Sequence, residues 1–389
     1  MKEERANRCD RKIALRWIVV VVCLLIFGTG AWASSKFFRQ ISQPERWRPR
    51  KLPVGAELVG DRACMECHGR KNASYLKTGM SSAMETIVES KVLTANPQMT
   101  FRNGNYRYEI KRQGAQSFYS VTDGKDTISL PILYALGVGT AGQTYVLQYD
   151  GGFYESKVSF YNEIRGLDYT IGTPRGVPPS LKEALGRKIS DNEVTACFSC
   201  HSTGAVIGGQ VHFDRLTPGI RCEACHGPGG AHTTVGKAGR PNEKLIFNPG
   251  RLNGDELSQD FCGSCHRGSS EVGLLKGEEV NNVRFQPYRI FHSKCYSDDR
   301  RISCVACHDP HEPLNHDAAH YDAKCAACHE TKKPGSKSRP GQQSLLAGCP
   351  VGTKDCTSCH MPKLGPEAAH FKFTDHYIRI VKASEKSSN

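Results

Sequence analysis

The sequence predicts a mostly irregular and helical fold with little regular secondary structure, plus one small antiparallel β module. Three observations carry that expectation. Cys-x-x-Cys-His recurs seven times along the chain. Six of the seven crowd into residues 196–360, where the intervening sequence is rich in Gly and Pro. The seventh is separated from them by the longest gap, 133 residues (197 minus 64), and this gap holds the chain's alternating Tyr, Val and Phe runs.

Composition narrows the class before any motif is interpreted. The chain has 389 residues with 18 Cys, 38 Gly and 20 Pro. So many Cys exclude an ordinary cytosolic enzyme and leave disulfides, zinc or haem attachment. Low apolar content for this length implies that something besides side chains fills the interior. The formal charge of +13 does not point to nucleic acid, because no basic block with interleaved aromatics occurs.

The first element, residues 1–33, is an export segment. Lys2, Arg5, Arg8, Arg11 and Lys12 precede an apolar run from Trp17 to Phe27, and Ala31-Trp32-Ala33 supplies a small-x-small site. This order reads as a secretory signal. Extended from Ile13 to Ala33, with Arg16 reaching toward the interface, the same run serves as an uncleaved membrane anchor. Both readings place everything after Ser34 outside the cytoplasm, in the periplasm or on the outer face of the cytoplasmic membrane. Residues 34–56 form a linker.

The seven motifs are Cys64-Cys67-His68, Cys197-Cys200-His201, Cys222-Cys225-His226, Cys262-Cys265-His266, Cys304-Cys307-His308, Cys325-Cys328-His329 and Cys356-Cys359-His360. Two Cys three positions apart reach both vinyl groups of one porphyrin as thioethers, and the adjacent His turns under the ring to bind iron. Zinc ribbons pair two Cys-x-x-Cys units and have no use for a His after every one. Seven covalently attached haem c groups are therefore expected. Their propionates, about fourteen at two per haem, give the excess Lys and Arg a counter-charge.

Eight further His are available as sixth ligands: His212, His232, His292, His311, His316, His320, His370 and His376. Bis-His haems suit electron transfer, whereas an open sixth position suits substrate. His232 follows the third motif through Gly227-Pro228-Gly229-Gly230, His311 follows His308 across Asp309-Pro310, and His376 closes Phe373-Thr374-Asp375 beyond the last motif. These three, with His370, head the candidates. No His lies between His68 and His201, and Met80, in a stretch expected to be helical over 73–90, is a candidate ligand for the first iron. Cys9 and Cys23 fall in the export segment. Cys295 and Cys349 fall in the exported part, where oxidising conditions favour a disulfide between them.

The β module is expected over 96–165, inserted between the first haem segment (57–95) and a six-haem domain (166–382). Tyr106–Ile110 alternates, Thr144–Tyr149 and Phe153–Tyr161 are strand-like, and Asp150-Gly151-Gly152 marks the hairpin between them. Asn103-Gly104 and Asp123-Gly124 mark further turns. In the haem-dense part the haems and their covalent attachments are expected to replace a side-chain core, with a helix near 317–331. Residues 383–389 form a loose tail.

Several blocks resemble a known family. Leu58–His68 with Tyr75–Met84, Gly219–His232, Cys304–Pro313, and Cys356–Lys363 with Phe373–His376 are similar to the multihaem cytochromes related to the tetrahaem electron acceptor of hydroxylamine oxidoreductase. The resemblance covers roughly residues 54–381. It implies a periplasmic electron-transfer fold with paired haems and distal His at His232, His311 and His376. The chain departs from many relatives in carrying Met80 and Ser82, not His, after the first motif.

Three functions follow as expectations. The first is an electron carrier in a respiratory relay, with redox partner proteins that are quinol-linked or other cytochromes and with no residue assigned to catalysis. The second is an oxidoreductase of small nitrogen or sulfur oxyanions at one five-coordinate haem, with Lys294 or Arg300 drawing in the anion. The third is a structural or filament-forming cytochrome, which makes oligomerisation part of the question.

Overall fold

Helix α1 (Asp61–Tyr75) carries the first motif and opens at Gly60, which has φ 77°. Its backbone breaks at His68 (φ −109°, ψ 33°), so the motif histidine leaves the helical path. In this computed structural model the described residues are 47–50, 52–241, 245–274, 279–296, 302–329, 354–365 and 369–381. Residues 1–33, expected to be an export segment, with Cys9 and Cys23, the proposed disulfide partner Cys349, and Arg300 lie outside them. The helical stretch expected over 73–90 is not continuous. Ser81 Oγ lies 3.0 and 2.8 Å from the carbonyls of Leu76 and Thr78 and draws the chain into turns.

Strand β1 (Met84–Glu85) and helix α2 (Lys91–Ala95), capped by Ser90, lead into the β module. Strands β2 (Gln98–Asn103), β3 (Tyr106–Gln113), β4 (Gln116–Thr122) and β5 (Thr127–Pro131) form an antiparallel meander in chain order. Alternation along β3 buries Tyr106, Tyr108 and Ile110 and exposes Arg107 and Lys111, as a half-buried strand requires. Strands β6 (Tyr134–Leu136), β7 (Thr144–Tyr149) and β8 (Gly152–Ser156) join β1 in a second antiparallel sheet. Asp150 and Gly151, both at positive φ (49° and 69°), make the tight β7–β8 turn signalled by the sequence. Strands β9 (Val158–Tyr161) and β10 (Gly166–Tyr169) pair as a separate hairpin. After α3 (Leu181–Leu185), β11 (Gly186–Lys188) adds to β8 as the far edge of the second sheet. Strands thus reach beyond both ends of the 96–165 interval, because short β1 and β11 extend the second sheet at its two edges. One apolar cluster, including Tyr108, Tyr119, Tyr145, Leu147, Phe160 and Leu185, fills the module.

Helix α4 (Asp191–His201) carries the second motif. A Ser190–Glu193 capping box opens it. Its Val194 and Phe198 pack with Met84, Ile189 and Ala205, which ties it to the β module. Two short ladders follow, β12 (Ser202–Thr203) with β15 (Thr217–Pro218) and β13 (Val206–Ile207) with β14 (Gln210–Val211). The rest is a succession of short helices: α5 (Cys222–His226), α6 (Gly230–Lys237), a π-helical turn (Glu256–Cys262), α7 (Gly263–His266) and α8 (Ser269–Leu274). Then come α9 (Gln286–Phe291), α10 (Cys304–Cys307), α11 (Ala318–His329), α12 (Cys356–His360), and a final ladder of β16 (Lys363–Leu364) with β17 (Phe373–Thr374). Beyond Val211, the described buried apolar side chains are Phe247, Leu257, Phe261, Val272, Val283, Ile290 and Tyr296. That is too little apolar surface to hold so long a stretch by burial alone.

Candidate haem sites

Each motif occupies a helical turn, because two Cys three positions apart face the same side only when the backbone is helical between them. The adjacent His then sits at or just past the end of the turn, as at the C-termini of α4, α5, α7, α11 and α12 and immediately after α10. A His at the end of a helical turn is free to swing beneath the plane set by the two sulfurs.

Three of these motif histidines face a second imidazole. The ring centroids of His68 and His232 are 6.4 Å apart with planes 15° from parallel. Those of His226 and His311 are 6.0 Å apart at 17°, and those of His308 and His376 are 6.2 Å apart at 41°. Two metal–imidazole bonds of about 2.0–2.1 Å, each extended by roughly 1.1 Å from nitrogen to ring centre, separate the centroids by about 6.2–6.4 Å. The residues present therefore fit a metal between each pair, on the geometry of the rings themselves.

Hydrogen bonds fix the tautomer each ring needs. A backbone carbonyl can only accept, so a ring nitrogen facing one must donate. Nδ1 of His226 donates to the Phe247 carbonyl (2.9 Å), that of His376 to Thr374 (2.9 Å), that of His201 to Ala83 (2.8 Å) and that of His360 to Arg379 (2.9 Å). His311 Nδ1 donates to Asp309 Oδ1 (3.0 Å). In each, Nε2 is left as the lone-pair nitrogen that a metal requires. Burial also lowers the proton affinity of His226, His266 and His308, and brings His376 down to about 4, so these rings are neutral near pH 7.

The other sequence candidates lie elsewhere. His370 Nε2 is 2.6 Å from Asp168 Oδ2, so its usual ligating nitrogen is engaged with β10 of the β module. Met80 is half-buried, its carbonyl accepts from Ala83 and Ile220, and the side chain opposite His68 is His232. His292 packs edge-on against Tyr288 and Phe291, and His320 against Tyr321. His212 and His316 are exposed, as is Lys294. Among the described residues, His201, His266, His329 and His360 face no second imidazole at comparable spacing.

Polar ties hold neighbouring motifs together. Cys222 N–H donates to Asp61 Oδ1 (3.3 Å), and Tyr75 Oη donates to the Ile220 carbonyl (2.6 Å), joining the first and third motifs. Arg50 donates to Ser199 Oγ (3.0 Å) and the Ser264 carbonyl (2.8 Å), which lie inside the second and fourth motifs. Cys304 Sγ is 3.7 Å from Ser258 Oγ beside the fourth, and Asp322 in α11 accepts from the N–H groups of Asp355 and Cys356 at the seventh. Asp375, fully buried, is gripped by Arg289 at 2.8 Å through both oxygens and by Arg379 at 2.7 Å, one residue before His376. Apart from the motif cysteines, the sequence named Asp375 among these tying residues, as the residue directly before His376, and it did not assign it this role.

Comparison with known proteins agrees with this chemistry. The family described as cytochrome c554 and c-prime matches residues 179–227, which contain the second and third motifs. The multiheme cytochrome MtrA of Shewanella baltica (strain OS185) is 22% identical over 226 residues, covering 49% of this chain and 61% of that protein. The match therefore spans less than two thirds of the relative's length. No solved structure matches. Haem c held by thioethers at Cys-x-x-Cys-His turns is what motif chemistry, ring geometry and both likenesses have in common, and the chain is a multihaem c-type cytochrome.

Proposed function

We propose that this chain is an exported heptahaem cytochrome that relays electrons through closely spaced, mainly bis-His haems. The observation that carries the reading is the set of three facing imidazole pairs, His68–His232, His226–His311 and His308–His376. Haem iron, when bound, supplies a one-electron couple at each site. The chain's own residues do the rest. At these three sites, two imidazoles per iron would leave no position for substrate and would keep the ligand set unchanged between oxidation states. Carbonyl-anchored Nδ1–H groups hold the rings against rotation. Tied motifs keep neighbouring sites within a few side chains of one another, which is what electron hopping needs.

The partners are other redox proteins, quinol-linked or cytochromes, and the location is the periplasm or the outer face of the cytoplasmic membrane. Among the described residues no helix is long and apolar enough to cross a membrane. A second reading is favoured by one observation, that His201, His266, His329 and His360 face no second imidazole among the described residues. One five-coordinate iron at one of these four motifs would then reduce or oxidise a small nitrogen or sulfur oxyanion. Stopped-flow mixing separates the two. Under the relay reading, the reduced full-length protein is reoxidised by an oxidised cytochrome acceptor and stays reduced with nitrite or hydroxylamine. Rapid, saturable oxidation by either small molecule overturns that reading.

A further inference from the structure

The side chain of Glu223 is 3% exposed, an unusual place for a carboxylate. It sits inside the third motif, yet its hydrogen bonds go to other segments. Oε1 accepts from the N–H of Val59 (3.0 Å) and of Gly229 (2.8 Å), and Oε2 accepts from the N–H of Gly60 (2.8 Å). All three partners are backbone donors. A carboxylate offers acceptors alone, which is the complement of a site that presents only donors.

The two glycines are the ones that open α1 and α6, and neither helix has a side-chain cap of its own. Helix α1 carries His68 and α6 carries His232, the two rings that face each other at 6.4 Å. One carboxylate on a third helix thus holds the starting points of both ligand-bearing helices.

We propose that Glu223 is the positioning residue of the His68–His232 pair and that its negative charge lowers the reduction potential of the haem of the first motif. A buried negative charge close to an iron favours the ferric over the ferrous state, which lowers the reduction potential. The inference rests on the ligand pairing proposed above. It names a residue that neither binds the haem covalently nor ligates its iron.

The test is Glu223→Gln and Glu223→Asp in the full-length holoprotein, read by spectropotentiometry and by carbon monoxide binding after reduction. Gln must turn an amide NH2 toward backbone donors. One component then shifts upward and the carbon monoxide-binding fraction rises above that of the wild type, by up to one haem. Asp keeps the charge but is one methylene shorter, so the potential stays near wild type while the carbon monoxide-binding fraction persists. Unchanged potentials and no carbon monoxide binding above that of the wild type in a fully haem-loaded Glu223→Gln overturn the role. If that variant does not mature, hydrogen exchange of the wild type decides. Joint slow exchange at Val59, Gly60 and Gly229 supports the role, and fast exchange overturns it. His232→Ala, run alongside, separates the two levels. If it too binds no more carbon monoxide than the wild type, the ligand pair itself is wrong; if it binds more and Glu223→Gln does not, only the role of Glu223 falls.

Discussion

Replacing Asp375 with Asn tests how the C-terminal segment delivers His376 to the fifth motif. The carboxylate is fully buried and takes four hydrogen bonds: two from Arg289 at 2.8 Å, one from Arg379 at 2.7 Å and one from Tyr377 N–H at 3.0 Å. Both guanidinium groups also lie over the Tyr377 ring, at 5.4 and 4.7 Å from its centroid. Ser293 Oγ donates to the His376 carbonyl (2.8 Å) and completes the clasp. An Asn at this position keeps the volume but takes the counter-charge from Arg289, whose side chain is only 11% exposed, and the carboxylate oxygen that Arg379 grips. Breaking a buried pair in this way costs about 3–5 kcal/mol. That corresponds to roughly two to nearly four decades in the balance between docked and undocked tail. With the tail undocked, His376 leaves its place opposite His308, and one iron changes from low to high spin. Electron paramagnetic resonance of the oxidised variant and carbon monoxide titration of the reduced one read this directly. The expected result is up to one high-spin, carbon monoxide-binding haem per chain more than in the wild type. A variant with wild-type spectra and wild-type resistance to denaturant would refute the reasoning that this ion cluster positions the ligand.

Other predictions follow from the same geometry. His232→Ala exposes one iron to carbon monoxide, whereas Met80→Leu leaves the spectrum unchanged; a spectral change in Met80→Leu would reinstate the thioether as a ligand. Ser190→Ala removes the cap of α4 and costs about 1 kcal/mol in denaturant unfolding of the holoprotein. The Ser190 N–H and the Arg187 guanidinium hold the Glu193 carboxyl down at about 2, against an ordinary 4.5. Because the folded value is depressed, this contribution is fully present above pH 4.5 and disappears as pH falls through about 2. The carboxylate is well exposed, so it is worth no more than about 1 kcal/mol; Glu193→Gln should flatten the unfolding profile in that window and nowhere else. Intact-mass measurement of the mature holoprotein should exceed the polypeptide mass by seven haems, and a smaller excess would remove a motif from the account.

Much of the chemistry was legible because it is local. Cys-x-x-Cys-His is a five-residue pattern whose spacing alone dictates a helical turn and a ligand beneath it. The Asp150-Gly151 hairpin was equally legible, since two positive φ angles in a row leave few residues to choose from. Partner assignment was not legible. His232 lies just past the third motif, and its position suggested nothing about His68. The pairing arises because Glu223 ties the start of α6 to the start of α1, a contact between segments far apart in sequence. His370 shows the converse. It lies six residues before His376 and resembles it as a candidate, but Asp168 on β10 takes its Nε2, and only the fold of the β module puts that carboxylate there. The turn at 76–83 was misread as helix because periodicity does not register Ser81 bonding back to the carbonyls of Leu76 and Thr78.

The most direct measurement of the central claim is the spin state of the wild-type full-length protein, oxidised for electron paramagnetic resonance and reduced for carbon monoxide binding. The relay account predicts low-spin signals from the haems of the first, third and fifth motifs, where imidazoles face each other in pairs, and carbon monoxide uptake at no more than the other four irons. High-spin signal or carbon monoxide binding at more than four irons would contradict it, because at least one paired imidazole would then not be a ligand.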